Sequence, residues 1–133
     1  GQAYLLATNF ANDPSFIDLC VADFNQAIAL DATNAESFNL RATCKLLKSD
    51  YEGAYNDFSE AIRLDPQEAK FYLYRATLYP DFGQLAAALA DAQMVLDLTQ
   101  GLEATAEIIE LRSSAEQLLK ELPTLSTEPT AQP

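Results

Sequence analysis

"SDYEGAYNDFSEAIRLDPQ", residues 49–67, carries Ala54, Phe58, Ala61 and Leu64 at steps of three and four, the spacing of one face of a helix rather than a strand. The same pattern lies 34 residues to either side, as "PSFIDLCVADFNQAIALDAT" from Pro14 and "DFGQLAAALADAQMVLDLTQ" from Asp81. Aligned in that register, the columns are Cys20, Ala54, Ala88; Asp23, Asp57, Asp91; Phe24, Phe58, Ala92; Ala27, Ala61, Val95; and Leu30, Leu64, Leu98. A second set lies upstream in each unit: Tyr4, Phe38, Tyr72; Leu6, Leu40, Tyr74; Thr8, Ala42, Ala76. Each unit therefore reads as a pair of helices, with small residues where the pair must approach closely.

Punctuation supports the pairing. Ser15 with Asp18, Thr33 with Glu36 and Ser49 with Glu52 have the spacing of a capping box, in which a hydroxyl and an acid satisfy first-turn amides. Asp65 before Pro66 reads as a cap followed by proline at the first helical position, where a missing N–H costs little.

The repeat length and its small and aromatic columns resemble the tetratricopeptide repeat family over residues 1–102. The resemblance implies an all-α fold, a right-handed α-α superhelix (solenoid) of three TPR helix hairpins, 1–34, 35–68 and 69–102, plus a C-terminal capping helix over 103–122. Repeat three departs from the pattern. It has Val95 at a small position and Ala92 at a large one, a compensating exchange of volume, and Pro80 should end or kink its first helix near Tyr79.

In the capping helix, Ile108, Leu111, Ala115, Leu118 and Leu122 form an apolar stripe. Glu103, Glu107, Glu110, Ser114, Gln117 and Glu121 form a polar one, expected to face water and close the end of the solenoid. Pro123 is expected to stop the helix, leaving 123–133 as a disordered tail. The start at Gly1 reads as a processed or cut end.

The residues argue against catalysis. There is no histidine, no glycine-rich phosphate loop and no C-x-x-C pair, so the usual general base, phosphate cradle and metal spacing are missing. Cys20 and Cys44 read as buried, inert packing thiols without a disulfide framework, and the chain as soluble, leaning to the cytoplasm. Glu103, Glu107 and Glu110 lack the six to eight oxygens calcium wants and read as a solvated face. No catalytic residue, cofactor or metal is assigned. A net charge of −12 disfavours nucleic acid and anionic membranes, and no apolar run reaches the length of a membrane span. Arg41 and Arg75 are expected to be structural forks, Arg41 to Asp57 or Asp23 and Arg75 to Asp91 or Asp57.

The resemblance also implies a function. First helices of the family line a concave groove, and the corresponding positions here are Leu5, Leu6 and Asn9; Asn39, Leu40, Thr43 and Leu46; Lys70, Leu73, Tyr74 and Leu78. That lining suits a protein or peptide segment with apolar anchors. Arg41, Lys45, Lys70 and Arg75 on the first helices would make the groove less negative than its surroundings and steer an acidic segment to it. Some family members clamp the terminal carboxylate of heat-shock chaperones. Of the five columns they use, this chain matches at Asn9 and Lys70 and departs at Leu5, Leu40 and Tyr74, so such tails should bind weakly or not at all. The reading is a protein-interaction scaffold, not an enzyme. The alternatives are a chaperone-like holder of a client segment and a structural module that self-associates through its end or lateral faces.

Overall fold

The computed structural model describes residues 13–78 and 84–126, with side chains through Leu122. The described residues form six helices and no strand: α1 (Pro14–Leu30), α2 (Ala35–Leu47), α3 (Tyr51–Leu64), α4 (Ala69–Ala76), α5 (Leu85–Thr99) and α6 (Ala106–Ser126). They fall into two compact units, Gly1–Asp65 and Pro66–Pro133. The expected first helix of repeat one, with Leu5, Leu6 and Asn9, lies outside the described residues, as do Tyr79 and Pro80.

In the first unit α1 packs on α2 and α2 on α3. Phe38, Ala42, Ala54, Phe58 and Ala61 are all buried, so the repeat-two members of the small and large columns are core, while Cys20, Phe24 and Ala27 of repeat one are half-buried. Phe58 is almost fully enclosed, and burial of a phenylalanine side chain contributes about 1.5–3 kcal/mol. Leu30 departs from its column: it is 83% exposed, whereas Leu64 and Leu98 are half-buried.

In the second unit α4 packs on α5, and α6 packs on both. Tyr72, Ala76, Ala88, Ala92 and Val95 are buried. Ala92 and Val95 are both fully enclosed, consistent with an exchange of volume between their two columns. Helix α4 ends at Ala76 with Thr77 as its cap, earlier than the stop expected near Tyr79. Helix α6 runs through Pro123 to Ser126, so Pro123 does not end it, and the rest of the expected tail, 127–133, lies outside the described residues. Proline's fixed φ is helical and removes a single backbone donor, which a helix can absorb in its last turn.

The caps lie one or two residues from their expected places. Asp13, not Ser15, caps α1 by accepting from the Ser15 N–H at 2.8 Å, with Pro14 as the first helical residue. Asn34, not Thr33, caps α2 by accepting from Glu36 and Ser37. Asp50, not Ser49, caps α3 through the Gly53 N–H at 3.0 Å. Ser49 is already committed: it is left-handed, with φ 62°, and its N–H and that of Asp50 donate back to Leu46 and Lys45, a Schellman ending for α2. Asp65 ends α3 instead of starting α4, whose cap, Glu68, makes no side-chain cap bond. A carboxylate or amide accepts as well as a hydroxyl, so where both are adjacent the backbone's exit angle decides which one caps.

The cysteines also differ from expectation. Cys20 on α1 and Cys44 on α2 are joined in a disulfide, their Cα atoms 6.0 Å apart. Cys20 holds the small-residue position facing the next first helix, which brings it beside Cys44 on α2. They are a staple between successive repeats, not two packing thiols.

Candidate functional site

A cavity of about 440 Å³ opens in the second unit between α4 and α6. Its apolar surface comes from Leu73 on α4 and from Leu111 and Leu118 on α6. Leu73 is only 7% exposed, so it forms the floor, while Tyr74 beside it is 37% exposed and forms an edge. Glu107, Glu110 and Glu121 line the α6 side, with Ser114 and Gln117 between them. Gln117 donates to Glu121 at 2.9 Å, which fixes that part of the rim.

Two sets of bonds hold the walls. The hydroxyl of Thr105 accepts from the Ile108 N–H at 3.2 Å and so caps the start of α6. Further along, Arg112 donates to the Leu96 carbonyl at 2.9 Å and to the buried Thr99 hydroxyl at 2.8 Å, tying α6 to the open C-terminal turn of α5. On the other wall Arg75 donates to both oxygens of Asp91 at 2.7 Å, fixing α4 on α5, and the Tyr72 hydroxyl donates to the Pro66 carbonyl at 2.9 Å.

The residues expected to line a groove separate. Leu73 and Tyr74 line the cavity, Leu78 is buried, and Lys70 lies over the Phe71 ring, 5.6 Å from its centroid. Asn39, Leu40, Thr43 and Leu46 belong to α2 in the first unit. Leu40 and Thr43 are exposed, and the Thr43 hydroxyl donates to the Asn39 carbonyl at 3.1 Å. Asn39 is 4% exposed; its amide donates to Glu36 at 3.1 Å, and its Oδ1 has no partner among the described residues.

The glutamates of the polar stripe are exposed, as expected, and Glu107, Glu110, Ser114, Gln117 and Glu121 also form one wall of the cavity. The signal for it was the repeat itself. Continuing the register one unit places Glu107 opposite the column of Leu73, Leu111 opposite Thr77, and makes α6 the first helix of a fourth unit. The electrostatics differ from expectation as well. Arg41 and Lys45 both bond Asp57, and Arg75 bonds Asp91, so these cations are neutralised locally. No basic side chain lines the cavity.

Among the described residues the helix pairs α2–α3 and α4–α5 carry these small columns, and each is tied by an Arg–Asp bond. These helix pairs are tetratricopeptide repeats. No family model matches the chain, but relatives and solved structures carry the same repeat. The mouse protein DnaJ homolog subfamily C member 7 is 38% identical over 64 residues, 48% of this chain and 13% of that protein. The second TPR domain of human RPAP3, solved in complex with an HSP70 peptide, superposes with a TM-score of 0.66 at 27% identity, covering 82% of each chain. The Yersinia enterocolitica type III secretion chaperone SycD, solved with a peptide of the translocator YopD, superposes with a TM-score of 0.75 at 22% identity, covering 96% of this chain and 93% of that one. The chain thus spans a small part of the curated relative it matches and most of these solved TPR domains.

Proposed function

We propose that this TPR chain is a protein-interaction module that holds a segment of a partner and performs no chemistry of its own. The observation that carries the reading is the α4–α6 cavity. It has an apolar floor, an exposed tyrosine edge and a volume of about 440 Å³, within the range of clefts that enclose a ligand's anchoring groups. The complexes of RPAP3 and SycD with peptides support it, as does the location on a first helix and the helix that follows in register. A net charge of −12 keeps nucleic acid out of the reading. Among the described residues no helix is long and apolar enough to cross a membrane. The Cys20–Cys44 bond favours an oxidising compartment over the cytoplasm.

Affinity purification with the natural chain and with Ser114→Trp tests the proposal, because a large ring at Ser114 fills the cavity from the rim without removing a core side chain. A partner recovered by the natural chain should be lost by the variant, while equal recovery places binding elsewhere and refutes the cavity. Leu73→Asp is unsuitable, since Leu73 is buried and an aspartate there would test folding.

A second reading, a chaperone-like holder of one client segment, is favoured by the likeness to SycD along nearly the whole chain. Client solubility and stability measured with and without this chain separate it from a docking adaptor: only a holder raises both.

A further inference from the structure

We infer that the α4–α6 cavity takes an apolar anchor from a partner segment that carries lysine or arginine on either side of that anchor. This rests on the peptide-binding reading above and assigns the chemistry of the segment. The floor is Leu73, Leu111 and Leu118, which favours an apolar anchor over a polar one. The rim is set by Glu107 and Glu110, one helical turn apart on α6, and by Glu121 about three turns on.

Neither Glu107 nor Glu110 has an ion-pair or hydrogen-bond partner among the described residues. The arginines that could have answered them are committed elsewhere: Arg112 to Leu96 and Thr99, and Arg75 to Asp91. Like charges one turn apart repel, and a cation bridging them removes that repulsion while the leucines enclose the anchor. An acidic segment would instead add to a rim that is negative on a chain of charge −12. The heat-shock tail, acidic and ended by a carboxylate, is therefore excluded by charge as well as by the missing clamp residues.

Panning a random dodecapeptide library against the full chain tests the inference, with synthetic versions of the enriched peptides titrated into the natural chain, Ser114→Trp and Glu107→Gln/Glu110→Gln. Enriched peptides should place Lys or Arg within a turn of Leu, Met, Ile or Phe. They should lose binding to Ser114→Trp, weaken about tenfold on Glu107→Gln/Glu110→Gln, and weaken with added salt. If Ser114→Trp does not fold, the double glutamine variant, altered only at exposed positions, carries the comparison.

Enriched peptides with acidic flanks that tighten on the glutamine variant would overturn the inference and leave the peptide-binding reading intact. Basic peptides indifferent to both variants would place their site on another surface and overturn it equally. No enrichment at all from a folded chain would overturn both.

Discussion

Arg41 and Asp57, sixteen positions apart on α2 and α3, meet fork to fork: the Arg41 Nε donates to one carboxylate oxygen at 2.8 Å and Nη2 to the other at 2.7 Å. Lys45 adds a third contact at 2.9 Å, and Arg41 reaches Asn25 on α1 at 3.0 Å through Nη1. Asp57 is only 4% exposed. Removing it would leave two cations facing each other with no anion. Asp57→Ala should destabilise the chain by about 3 kcal/mol, whereas Asp91→Ala, which takes the anion from one cation instead of two, should cost about 1–2 kcal/mol. Denaturant melts of the two variants check the order, and equal losses would mean that Lys45 contributes nothing.

The Cys20–Cys44 disulfide closes a loop over a sequence separation of 24, enough to disfavour the unfolded chain by about 3 kcal/mol on the chain-entropy account. The unfolded, unreduced chain should show no free thiol, and after reduction its melting temperature should fall. Two reactive thiols before reduction would refute the bond.

Ser49 holds a left-handed φ of 62° at the position where helices usually end on glycine. Its side chain makes no cap, since Asp50 does. Ser49→Gly should therefore stabilise by about 0.5–1 kcal/mol, read as a higher midpoint in urea.

Arg112 is the polar link between α6 and the end of α5. Arg112→Ala would take a donor away from the buried Thr99 hydroxyl and the Leu96 carbonyl, at a cost of about 1–2 kcal/mol. Hydrogen exchange should quicken in α6 more than in α3.

Acid should act on Asp31 in a definite direction. The Thr33 hydroxyl donates to its carboxylate at 2.5 Å and the Thr33 N–H at 2.9 Å. First the hydroxyl and then the amide hold the carboxyl below its ordinary 3.8. A lowered value means the contact stabilises the fold above the ordinary value and is lost as pH falls through the lowered one. In Thr33→Ala the carboxyl titration followed by NMR should move up toward the ordinary value.

What the sequence alone determined is what repeats. Helical spacing and the unit of 34 residues are written along the chain, so the helix pairs, the alanine and phenylalanine columns, and the role of Arg41 and Arg75 as forks to the Asp column were legible from it, while the structure chose Asp57 over Asp23 and Asp91 over Asp57. Leu73 and Tyr74, which the family resemblance assigned to a groove, line the cavity.

Tertiary structure decided whatever depends on one residue's neighbour in space. Asp50 rather than Ser49 caps α3 because the chain leaves α2 through a left-handed serine. Cys20 finds Cys44 because α1 packs on α2. The exposed glutamates of α6 also rim a cavity because α6 takes the place of the next first helix beside α4. A polar stripe has the same spacing whether water or another helix lies opposite it, so only the packing could tell the two apart.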